Sequence, residues 1–248
     1  MNFKNLKIKP GVLILTATIS LSTLSGCVEK ELAPQEEYDI VKEITIDNNG
    51  LSTTGLKQEL EVPGETFTII TEYRRDNSED RQWLVTADKF LYLTVYTKGL
   101  PDDTEVYIDN IHIDTSIVSK YASVNGIIQD TMDDRIHNSQ MIGFPIGNDI
   151  RYYGVNAIEG CNQDFIKGTF YGYNGYSSGT IKEKRYTEAD YRELKVYANK
   201  FQIVIDLLIK GPNDKDYRNV SINTDFIVEV SQEPIEYEKN GKVIVKEK

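Results

Sequence analysis

Cysteine and histidine are scarce: 248 residues carry two of each, and a single tryptophan. That supply cannot furnish most zinc, iron–sulfur or Cys/His catalytic sites, so no metal and no cofactor is expected. Basic charge is short as well, with 28 Lys and Arg against 39 Asp and Glu, a formal charge of −11. Binding a phosphate backbone needs a basic surface, which excludes nucleic acid as a partner. Several catalytic signatures are missing. There is no phosphate-binding loop ending in Gly-Lys-Ser/Thr, no dinucleotide fingerprint and no H-E-x-x-H pair. What remains is an ordinary soluble composition, 40% hydrophobic and 27% charged, long enough for one large domain or two small ones.

The N-terminus sets the expected compartment. Met1–Pro10 carries Lys4, Lys7 and Lys9 and no acid, and Gly11–Gly26 is uncharged. Sixteen residues diluted with Ser and Thr are too few to cross about 30 Å of hydrocarbon, so the pattern reads as an export signal. It ends in Leu24-Ser25-Gly26-Cys27, which resembles the lipobox of bacterial lipoproteins. The resemblance covers residues 1–27 and implies cleavage before Cys27, with a diacylglycerol thioether on its sulfur. Two acyl chains hold a protein stably where one does so marginally. Losing Lys4, Lys7 and Lys9 leaves 25 basic against 39 acidic residues, a charge of −14 for the expected mature chain. The acidic stretch 27–39, containing Pro34, reads as a tether that lets such a body stand off an anionic bilayer.

Beyond residue 40 the pattern is strand-like. Thr66–Tyr73, Gln82–Thr86, Phe90–Thr97 and Glu105–Ile113 are rich in β-branched and aromatic residues and are separated by Gly, Pro, Asn and Asp. In the last of these, the alternation slips at Asp109-Asn110, which predicts a bulge. Further strands are expected over Met141–Ile146, Arg151–Ile158, Lys167–Tyr173, Phe201–Lys210, Asn219–Asn223 and Phe226–Ser231. Thr187 as a cap, with Tyr191, Leu194 and Ala198 on one face, predicts a short helix near 188–194. The expected class is therefore all-β, one or two immunoglobulin-like antiparallel β-sandwich modules with that one helix. Two Lys-Gly turns 112 residues apart suggest modules at 40–130 and 139–232. Residues 233–248, with Asn240-Gly241, then form a charged hairpin or tail.

The binding candidates are aromatic. Tyr152 and Tyr153 precede a Tyr/Gly-rich loop, 168–178, carrying Phe170, Tyr171, Tyr173 and Tyr176. Tyrosine with Gly and Ser suits recognition surfaces, while the same residues also suit an edge strand with inward aromatics. The acidic groups Asp102-Asp103, Asp130/Asp133/Asp134 and Asn213-Asp214/Asp216 offer hard oxygen ligands for calcium, but match no EF-hand and read equally as solvated turns. Cys161 in an acidic context reads as an inert thiol, and Trp83 as core.

The expectation is a non-catalytic lipoprotein on the outer face of the cytoplasmic membrane of a Gram-positive bacterium. Anchored through lipidated Cys27, it would make protein–protein contact at the cell surface, as an envelope-complex accessory or an exclusion protein of a mobile element. The alternative is a capture module for peptide or glycan using the loop 168–178. An envelope hydrolase with a carboxylate pair ranks below both.

Overall fold

Side-chain alternation fixes the strands. In the computed structural model, which describes residues 31–42, 55–75, 83–136, 142–161 and 187–232 with the backbone of 235–237 and 243–245, nearly every ordered element is β. The strands are β1 (Leu56–Glu61), β2 (Thr68–Arg75), β3 (Lys89–Lys98), β4 (Glu105–Ser119), β5 (Ile128–Arg135), β6 (Phe144–Ile146) and β7 (Tyr152–Ile158). Helix α1 (Glu188–Glu193) follows, then β8 (Val196–Lys210), β9 (Arg218–Glu229), β10 (Ile235–Tyr237) and β11 (Val243–Val245). Among the described residues no helix is long and apolar enough to cross a membrane.

All pairing between these strands is antiparallel. One sheet runs β1-β2-β3-β7 and another runs β5-β4-β8-β9, with β6 continuing along the β5 side of β4. The inner faces of these two sheets share one core. Ile69, Tyr73, Leu91, Leu93 and Val95 from the first meet Ile108, Ile111, Ile113, Phe201, Ile203, Ile205 and Phe226 from the second. Tyr73 crosses to Phe226 at 4.2 Å between ring centroids, Phe226 stacks on Phe201 at 5.3 Å, and Trp83 meets Phe201 edge-on at 6.1 Å. Each fully buried side chain of this kind contributes roughly 1.5–3 kcal/mol.

Several expectations hold in detail. The β4–β8 register passes from Ile108↔Leu207 to Asn110↔Asp206, so Asp109 is the extra residue that shifts the buried positions from even to odd numbers. Helix α1 is capped by Thr187, whose side chain accepts from the Asp190 backbone while the Asp190 carboxylate accepts from Thr187 N–H. Its Tyr191 is buried. Strands β10 and β11 pair on either side of Asn240-Gly241, which themselves lie outside the described residues.

Other expectations need correction. The segments 40–130 and 139–232 are not two self-contained modules: β3 pairs with β7 and β4 with β8, so each sheet takes strands from both halves. Residues 31–248 accordingly form one unit. Gln82–Thr86 does not extend a sheet over its described residues. Trp83 and Leu84 have no regular structure and Val85–Ala87 is a bend. Strand β5 spans the gap left between the two expected modules, because an edge strand needs inward apolar residues only at alternate positions, here Met132 packing on the core.

The tether also ends earlier than expected. Leu32 bridges Tyr121, Ala33 N–H donates to the Lys120 carbonyl at 2.9 Å, and Ala122 N–H donates to the Glu31 carbonyl at 3.0 Å. Further on, Ile227 N–H donates to Asp39 O at 2.8 Å and Val41 N–H to Ile227 O at 3.0 Å, with Val41 buried in the core. Composition favoured a linker over 27–39, but the amides of Ala33 and Val41 and the carbonyls of Glu31 and Asp39 have partners on Lys120–Ala122 and on Ile227 of β9, and Lys200 sits over the Tyr38 ring at 4.7 Å.

Candidate functional site: the outer face of the four-stranded sheet

Adjacent residues on a strand point to opposite faces, and this separates the two described tyrosine candidates. Tyr152 turns inward, its ring edge-on to Phe144 at 5.4 Å and its hydroxyl donating to Asp134 at 2.7 Å. Burial, followed by that carboxylate, pushes its phenol well above the ordinary value. Tyr152 is a packing residue. Tyr153 faces out and is 67% exposed, next to Val155 at 60%. Across the pair of strands Val155 lies opposite Tyr92, itself partly exposed. Phe170, Tyr171, Tyr173 and Tyr176 lie outside the described residues, as does Cys27.

Tyr153, Val155 and Tyr92 thus make an apolar group on the outer face at the end of the sheet. Strand β7 pairs with β3 alone, and no other described strand pairs along its second edge. Its outward backbone groups are those of an edge strand. Beside the apolar group lies a cross-strand polar ladder. Lys57 Nζ donates to the Tyr96 hydroxyl at 2.8 Å, Tyr96 donates to Glu72 at 2.9 Å, and Lys57 Nζ stands 3.3 Å from Glu72. The Arg151 guanidinium covers the Tyr96 ring at 4.1 Å. Burial pushes the Glu72 carboxyl up, but hydrogen bonds from Tyr96 and Lys57 outweigh it and leave it below its usual range. Tyr96 raises Lys57 in turn.

The buried charged groups among the described residues, Glu188 and Lys89, belong to a different place, around the irregular chain 83–88. The Glu188 carboxylate, carried in on α1, accepts from Val85 N–H and Thr86 N–H, both at 3.1 Å, and from the Thr86 hydroxyl at 3.0 Å. Lys89 is buried under Trp83, its Nζ 5.4 Å from the ring, and donates to the carbonyls of Leu84 at 2.6 Å and Ala87 at 3.2 Å. Burial lowers its pKa to about 8. Cys161 N–H donates to Val85 O at 2.8 Å, and burial pushes the Cys161 thiol up, the opposite of an activated nucleophile. Trp83 Nε1 donates to Asn199 Oδ1 at 3.0 Å, and Asn199 Nδ2 to Gln129 at 2.8 Å. These groups satisfy the irregular chain 83–88 and tie it to both sheets. Neither Lys89 nor Glu188 was identifiable from the sequence, since a lone Lys and a lone Glu look like surface residues; the helix cap was the available signal for Glu188.

Among the described residues no three His, Cys, Asp or Glu side chains converge to hold a metal ion. His112 sits between Asp133, 2.7 Å from its Nδ1, and Asp114, 3.4 Å from its Nε2. The hydrogen bond with Asp133 holds its pKa above the ordinary value. Gly175-Tyr176-Ser177-Ser178-Gly179 fits the spacing G-x-S-x-G. It lies outside the described residues, and the described sheets are antiparallel rather than the parallel α/β context in which that elbow works.

No protein-family model and no curated protein matches the chain. Among solved structures, a protein from Archaeoglobus fulgidus aligns with a TM-score of 0.27 and 8% identity, over 63% of this chain and 93% of that one. A likeness of that size assigns neither fold family nor function.

Proposed function

We propose that this chain is a lipid-anchored bacterial surface protein, held through Cys27 on the outer face of the cytoplasmic membrane, whose β body binds a protein partner without catalysis. The observation that carries the contact reading is the exposed group of Tyr153 and Val155 on β7 with Tyr92 on neighbouring β3, beside the edge of β7 that no other described strand pairs. Aromatic and β-branched side chains beside an unpaired strand edge offer both apolar area and backbone hydrogen bonds to an incoming segment. The reading of residues 1–27 as signal and lipobox supports the location. An immunoglobulin-like sandwich is the finer assignment proposed for the body, supported by two antiparallel sheets around one core.

The same edge favours one alternative, capture of an extended peptide that adds to β7 as a further strand. Site-specific photocrosslinking separates the two. A photoreactive residue in place of Tyr153, on intact cells, should give one discrete protein adduct that disappears with Val155→Asp. Adducts no stronger than those from a control position at Glu61, on the opposite edge strand, would sink the contact reading. Peptides rather than a protein in the adduct would favour the alternative.

A further inference from the structure

The docked segment 31–33 constrains more than the fold. If Cys27 carries the lipid, only Val28, Glu29 and Lys30 separate the anchor from Glu31, where the chain is already hydrogen-bonded to the body. Four residue steps at full extension span about 14 Å. A tether running free to Asp39 would have allowed about three times that reach, so the stand-off expected from composition is not open to this body. Glu31 and Leu32 lie against Lys120–Ala122, immediately past the end of β4, and Lys120 N–H donates to the Lys195 carbonyl at the start of β8. Leu32 is 73% exposed. Around it the exposed Lys120 and Lys195 offset Glu31 and Glu193, while Glu229, Asp130, Glu159 and Asp88 stand farther along the neighbouring strands.

A second set of acids stands at the opposite end. Strand β4 has 15 residues and runs from the tethered end to the opposite one, about 46 Å at 3.3 Å per residue step. The turns there carry Asp102 and Asp103 between β3 and β4, and Asp214 and Asp216 between β8 and β9. At physiological salt, charges decay over about 8 Å, so acids that far away do not oppose an anionic surface at the near end.

We propose that the end of the body formed by Glu31–Ala33, Lys120–Tyr121 and Lys195 rests on the bilayer that holds Cys27, with Leu32 at the headgroup level and the β3–β4 and β8–β9 turns pointing away. This rests on the lipid-anchor reading of Cys27 and adds the orientation of the body. An exposed leucine flanked by lysines whose stems can lie along the interface suits that surface.

The test uses the full lipidated chain in vesicles of equal phosphatidylglycerol and phosphatidylcholine containing a headgroup-spin-labelled lipid. An environment-sensitive fluorophore is attached through Leu32→Cys in one sample and Asp214→Cys in another; Cys161 is buried and stays unlabelled. Mass spectrometry of the N-terminal peptide reports the lipid on Cys27. With the lipid present, the label at position 32 should lose at least half its fluorescence while that at 214 is unchanged. Lipid present with equal, weak quenching at both positions would overturn the orientation and leave the anchor standing. Lipid absent would overturn both.

Discussion

Substituting Glu188→Gln measures what the buried carboxylate does for the chain around Trp83. Glu188 meets three donors: Val85 N–H on one oxygen, and Thr86 N–H and Thr86 hydroxyl on the other. Glutamine offers one acceptor oxygen and turns an NH2 toward the remaining donor. If the amide oxygen keeps the two Thr86 bonds, Val85 N–H is left unsatisfied in a buried place, at a cost of about 1–3 kcal/mol. The surviving bonds fall from charge-assisted to neutral strength, losing roughly 0.5–1 kcal/mol each. Against this, the variant no longer desolvates a carboxylate. Nearby Lys89, which Glu188 favours in its charged form, loses that support. The donors outweigh the relief, and a net loss of about 3 kcal/mol is expected. With a urea slope of roughly 2 kcal/mol/M, the unfolding midpoint of the lipid-free chain, Cys27→Ser, should fall by about 1.5 M with no change in slope. Hydrogen exchange should accelerate first at the amides of Val85, Thr86 and Cys161, because Cys161 is held by the Val85 carbonyl. A midpoint shift below about 0.25 M would refute the account of Glu188 as the acceptor for this segment.

Three further outcomes follow from neighbouring groups. Lys89 has a folded pKa lowered by burial to about 8, below its ordinary value, so the unfolded chain binds more protons between these values and stability should rise with pH across about 8 to 10.5. Lys89→Met removes that rise, and parallel urea titrations at pH 7.5 and 10.5 that stayed parallel for both proteins would contradict it. His112 works with the opposite sign: its pKa is raised by Asp133, so its contribution is full below about pH 6.5 and fades as pH climbs through the folded value. His112→Asn should abolish this component, and a ring titration by NMR at or below the ordinary value would count against it. Finally, a Cβ on Gly160 would lie 2.3 Å from the Thr86 carbonyl oxygen, so Gly160→Ala should cost roughly 1–3 kcal/mol in urea unfolding, and a neutral result would show that β7 and the 83–88 chain move apart freely.

The proportions of sequence and structure can be judged from particular residues. The strand class was legible in Phe90–Thr97 from its β-branched and aromatic residues and in Glu105–Ile113 from its period-two alternation, where the slip at Asp109 showed too. The helix was legible because a cap is local chemistry, settled between Thr187 and Asp190. The scarcity of histidine and cysteine, the charge and the lipobox pattern belong to the sequence alone. What only the tertiary structure decided depends on contacts between residues far apart in the chain. β3 could pair with β7 and β4 with β8 only once a single core joined both halves, so the repeated Lys-Gly turns marked a crossing between the two sheets, β3 to β4, and a hairpin, β8 to β9, and no domain boundary. The fate of Tyr152 and Tyr153 turned on which face of β7 met that core. The acidic stretch up to Asp39 looked like a linker because its composition is polar, whereas the docking of its described part, 31–39, is made mainly by backbone amides and carbonyls, which every sequence carries and no composition reveals.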